Sequence, residues 1–179
     1  FACGIVVHPA IEACTRLREQ GISADQVARI ELEVHPLVLE LTGKKEPADG
    51  LSAKFSVYHA CAAGLVFGRA GEAEFADAVV ARPDLVALRR KVVARADARI
   101  AEDAVELRAT LADGRVVAVS IDHAVGSLLR PMSDSALDAK CHDLMDPILG
   151  AARAAEVIAV ARSAATLNDL HELVSLTRP

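Results

Sequence analysis

A chain of 179 residues can bury one core, or one core and a small appendage. It is 53% hydrophobic, 25% charged and 3% aromatic with a formal net charge of −5, which argues against a nucleic-acid partner. No apolar run reaches the roughly 18 residues of a membrane span. Cys3, Cys14, Cys61 and Cys141 form no CxxC pair and have no metal-ligand spacing, so reduced thiols in a cytoplasmic protein are expected.

The start at Phe1, with no signal peptide, is expected of the C-terminal part of a longer protein. Ile11, Cys14 and Leu17 repeat at helical spacing over Pro9–Gln20, with Glu12, Arg16, Arg18 and Glu19 facing out. His8-Pro9 starts that helix and Gly21 ends it. His8 therefore sits at a helix N-terminus, where an anion is favoured. Ile30–His35 alternates apolar and polar residues and predicts a half-buried strand. Pro36 interrupts it, the apolar run continues through Leu41, and a loop rich in Gly, Pro and charge follows to Gly50.

Lys54–Gly68 (KFSVYHACAAGLVFG) is the most distinctive stretch. Lys54, Ser56, Tyr58 and His59 stand at the mouth of a segment that then turns apolar and small-residued. Small side chains let a helix pack closely, so a central buried helix is predicted. Polar groups at such an entrance are costly unless satisfied, which makes the entrance a candidate site. A short helix over Gly71–Ala81 follows, with Phe75 and Val79 inward, then another from Pro83 carrying Leu85, Val86 and Leu88. Arg89-Arg90-Lys91 reads as a solvated helix end.

Lys91–Asp97 is a second predicted strand, Val105–Leu111 a third and Val116–Ile121 a fourth, with Asp113-Gly114 as a hairpin turn. These read as a meander whose inward groups are Val105, Leu107, Ala109, Leu111, Val117, Val119 and Ile121. Ser133 caps a helix carrying Leu137, Cys141, Leu144 and Met145. Ala151–Ala165 is an Ala-rich helix with Val157, Ile158 and Val160 inward, and Asn168–Leu176 is a short last helix. The expected fold is one α+β domain over residues 1–179, a small antiparallel sheet of about four strands with helices on one face.

No Gly-rich phosphate loop, HExxH or GxSxG is present. Cys141-His142 lies within a helix, where neighbours point about 100° apart, so it is no catalytic pair. His8, His35, Lys54, Tyr58 and His59 are proton donors and acceptors that burial can tune. Such a set, with no metal, suits proton abstraction next to a carboxylate or binding of a polyanionic acid.

Four runs, CGIVVHPAIEA, VHPLVLELTGK, AKFSVYHACAAGLVFGRAG and LADGRVVAVSIDHAVGS with RPMSDSALDAKCHDL, come in one order. In that order they resemble the C-terminal half of MmgE/PrpD-type proteins, a family of 2-methylcitrate dehydratase, cis-aconitate decarboxylase and iminodisuccinate epimerase. The resemblance implies a missing N-terminal all-helical domain, a homodimer, and an active site between the two domains. It implies action on small di- and tricarboxylates without metal or organic cofactor. The chemistry would be proton abstraction α to a carboxylate, followed by loss of water, loss of carbon dioxide or reprotonation. By the same resemblance a catalytic lysine would precede Phe1, a histidine position is matched by Gly4, and His8 matches a second histidine. A decarboxylase tyrosine falls near Leu39, close to His35. These departures argue against cis-aconitate decarboxylation and leave a dehydratase, an epimerase or another acid lyase. Lys54 and Ser56, with His35, are expected to bind substrate carboxylates; His8 or His59 is expected to shuttle a proton and Tyr58 to donate or orient. The alternative is a non-enzymatic binding or dimerisation module.

Overall fold

The computed structural model describes residues 1–178. It divides into two compact units, Phe1–Pro131 and the remainder from Met132.

In the first unit, a 3₁₀ turn at Ile5–Val7 leads into α1, His8–Glu19, with Pro9 in its first turn. Ile11, Cys14 and Leu17 are buried, as the spacing predicts. Glu12 is buried too, against expectation. Arg16 at 2.8 Å and Arg130 at 2.6 Å neutralise its carboxylate, and Val125 N–H donates to it at 3.2 Å. A buried carboxylate needs such company.

Strand β1 is Val27–Val34, three residues longer at its start than its alternation suggests. A register shift between Val27 and Arg29 breaks the period there. Residues 36–42, read as an apolar continuation, form helix α2, Pro36–Thr42. Pro36 takes the first helical position, where it loses no hydrogen bond. Short helix α3, Gly50–Ala53, follows, and then α4, Val57–Phe67. Every residue from Val57 to Leu65 is buried, so the central buried helix is present. Gly68 ends it at φ 71°, a left-handed cap. The segment 71–81 is a 3₁₀ turn at Ala73–Phe75 and then α5, Asp77–Val80, in place of one helix. Helix α6 spans Pro83–Arg89.

Strands β2 (Val92–Ala96), β3 (Val105–Leu111) and β4 (Val116–Ile121) complete a sheet of order β2-β1-β3-β4. The α+β class and the four strands match the sequence reading; the meander does not. Strands β1 and β2 pair in parallel, while β1–β3 and β3–β4 are antiparallel. The physical reason is the connection between β1 and β2. It carries five helices, long enough for the crossover that a parallel pair requires. Only β3 and β4 are joined tightly, by Asp113-Gly114 with Gly114 at φ 86°.

One sheet face is apolar: Ile30, Leu32, Val34, Val105, Leu107, Ala109, Val119 and Ile121 are buried, and Val117 partly so. Helix α1 covers β3 and β4, whereas α2 and α4 lie over β2. Glu33, Arg95, Glu106 and Arg108 are exposed.

The second unit holds α7 (Asp134–Leu149), α8 (Ala151–Arg162), a 3₁₀ turn at Ala164–Thr166 and α9 (His171–Leu176). Ser133 caps α7 as predicted, accepting from Ala136 N–H at 3.2 Å. Val157 is buried but Ile158 and Val160 are only partly so. Arg162 ties α8 to α7 through Asp138 at 2.6 Å. Among the described residues no helix is long and apolar enough to cross a membrane.

Candidate functional site

The entrance to α4 is built by caps. Asp49 accepts from Ser52 N–H at 2.7 Å, and the Ser52 hydroxyl accepts from Asp49 N–H at 3.1 Å, which starts α3. Lys54 closes α3, and Ser56 opens α4 by accepting from His59 N–H at 3.1 Å. The Ser56 hydroxyl donates in turn to the Lys44 carbonyl. Its side chain is fully buried and both of its hydrogen-bonding roles are used. Ser56→Ala is therefore expected to cost about 1–2 kcal/mol, read by urea denaturation.

His59 is 0% exposed. Its Nδ1 lies 3.2 Å from an Arg89 N–H, which can only donate. Nδ1 therefore accepts, and Nε2 carries the proton, donated to the Glu74 carbonyl at 3.0 Å. Burial, and secondarily the Arg89 charge, hold the imidazole below its ordinary pKa, with the Glu74 bond opposing. His59 is thus neutral with both ring nitrogens engaged. Sequence reasoning missed its partner. Arg89, expected on a solvated helix end, is 6% exposed and donates to His59 and, at 2.8 Å, to the Val80 carbonyl. Burial also lowers the pKa of its guanidinium. Nothing local in Arg-Arg-Lys distinguishes the one buried member; its only hint is the apolar spacing of Leu85 and Leu88, which turns Arg89 inward.

Tyr58 is 5% exposed and its phenol pKa is raised, by burial first and Cys61 second. It lines a cavity with Lys45, Glu46, Arg89 and Arg90, whose walls include neither Lys54 nor His8.

Lys54 Nζ is clamped by Glu72, at 2.8 and 2.7 Å to its two oxygens. The Lys54 carbonyl accepts from Gly4 N–H at 3.2 Å. At the other end of the same segment, the Phe1 ring meets His8 edge-on, centroids 5.2 Å apart. Residues 1–4 thus touch the Lys54 backbone at one end and the His8 ring at the other. His35 caps α2, with Nδ1 accepting from Leu37 N–H at 3.2 Å. Among the described residues no three His, Cys, Asp or Glu side chains group as metal ligands would.

The family model described as MmgE/PrpD C-terminal domain matches residues 1–165. No curated protein matches the chain.

Proposed function

The chain belongs to the MmgE/PrpD family through its C-terminal domain, and from that premise we propose that it is one half of a lyase or isomerase of small di- and tricarboxylic acids. The observation that carries this reading is the family match over residues 1–165. In the proposed reaction, side chains serve as acid and base and a proton is taken from the carbon next to a carboxylate. The reactions left open are dehydration, epimerisation and another acid-lyase elimination, in a dimer completed by an N-terminal helical domain.

Lys54 is the proposed carboxylate contact. Its present partner Glu72 makes an ion pair whose side chains are 25% and 59% exposed. Pairs this wet contribute little, so a substrate carboxylate displaces Glu72 at small cost. His8, which by the family resemblance matches a histidine of the opening motif, is the proposed proton carrier. His59 serves a positioning role, because its neutral ring is held from both sides.

By the resemblance of the opening run, Gly4 stands where the family carries a histidine. A Cβ added there meets only Lys54 O and Thr42 Cγ2, both at 3.6 Å, an ordinary contact. Gly4→His is expected to fold with little loss of stability and to raise turnover of the complete enzyme about tenfold or more, within the range general acid–base groups supply. The binding half of the proposal is tested by thermal shift of the chain paired with its helical domain, against citrate, tricarballylate and succinate. Stabilisation that Lys54→Met reduces is expected. An unchanged melting temperature with every acid contradicts the reading.

A further inference from the structure

We propose that the cavity between α4, the end of α6 and β2 is a binding site for a small oxyanion, a carboxylate or a phosphate, held by Arg89, Arg90 and Lys45. Its volume is about 260 Å³, below the ~300–1,000 Å³ of drug-sized sites and suited to a small ion.

The central observation is Arg89. A guanidinium 6% exposed would ordinarily face a carboxylate. Arg89 faces none within ion-pair distance among the described residues. One of its terminal nitrogens donates to His59 and Val80, and its Nε is buried without a hydrogen-bond partner among the described residues. His59 cannot neutralise it, because that ring is a neutral acceptor.

The surroundings add charge of the same sign. Arg90 and Lys45 line the cavity with Arg89, against a single acid, Glu46. Glu46 is itself committed to Arg90, Nε to Oε1 3.0 Å. Three cations thus share one carboxylate, whose charge favours Arg89 only from beyond ion-pair distance. The planar fork of arginine matches the paired oxygens of a carboxylate or phosphate. Tyr58 also lines the cavity, and its phenol is a hydroxyl donor. Strand β2 forms another wall and is an edge strand, so one row of its backbone groups is unspent by the sheet. The site is separate from the proposed Lys54–His8 chemistry and stands without it.

Calorimetric titration of the intact chain at low salt, with succinate, tricarballylate and inorganic phosphate, tests the proposal. Chloride at matched ionic strength is the control. Saturable binding of one equivalent of at least one probe is expected, and the probe that binds tighter separates carboxylate from phosphate. The Lys45→Ala/Arg90→Gln double variant should weaken binding at least tenfold. Lys45 and Arg90 are exposed, so their loss leaves the fold intact. Glu46→Gln should tighten binding by removing the competing acid, and Lys54→Met should leave it unchanged. Absence of saturable binding overturns the site. So does an affinity indifferent to the double variant, or one lost with Lys54.

Discussion

Replacing His59 by alanine is expected to lower stability by about 3–5 kcal/mol, the largest loss in the first unit from one polar side chain. The variant opens a cavity in the core. It also strips an acceptor from Arg89 and a donor from the Glu74 carbonyl, at a site where neither finds water easily. His59→Gln keeps an amide that can accept and donate, and should recover about half. Arg89→Met should cost less than His59→Ala, since replacing a buried ion by an apolar side chain is often near neutral. The two substitutions should be strongly non-additive, because they remove the same contact. Urea denaturation of the four variants measures all of this.

The same contact sets a pH dependence. The folded pKa of His59 is lowered, chiefly by burial. The unfolded chain therefore takes a proton on this residue below about pH 6.5, while the folded chain does not. Stability should be flat in this component above that pH and fall as pH drops below it, until the folded pKa is reached. His59→Gln should remove that part of the acid slope.

Gly64→Ala is the second large effect. The α1–α4 contact depends on a missing side chain. A Cβ at Gly64 would stand 2.7 Å from the Ile11 carbonyl oxygen and 3.2 Å from Cys14 Cβ. The first is backbone and cannot swing away, so the helices must part. The helix propensity gained by alanine is about 1 kcal/mol. Overpacking costs about 1–3 kcal/mol, and more where backbone must move. A net loss of about 1–2 kcal/mol is expected. A gain in stability would mean that α1 and α4 pack less closely than these distances require.

The parts of the fold set by neighbours in sequence were legible from sequence. The small-residue run after Ser56 foretold a buried helix, and Ser56 and Ser133 cap as their positions suggest. The alternation of Val105–Leu111 gave its inward face residue by residue. What depends on distant partners was not legible. The parallel β1–β2 pair follows from a crossover that alternation does not encode. Helix α2 was hidden because Pro36 after a strand reads equally as a break or as a first helical residue. Glu12 and Arg89 looked solvated because the groups that bury them, Arg130 and His59, lie far along the chain. For the candidate site, the entrance to α4 was found. The division of labour within it was not: Ser56 is a cap, His59 is locked, and Lys54 faces Glu72.

The most direct test of the proposed function is proton exchange at carbon. The chain, joined to the N-terminal helical domain that the proposal assigns to it, is incubated in D₂O with 2-methylcitrate, citrate and succinate, and the carbon-bound protons are followed by NMR. The proposal predicts deuterium entering next to a carboxylate in at least one acid, slowed at least tenfold by Lys54→Met or His8→Ala. Proton signals that persist unexchanged in every acid, with no product formed, would contradict it and favour a binding or dimerisation module.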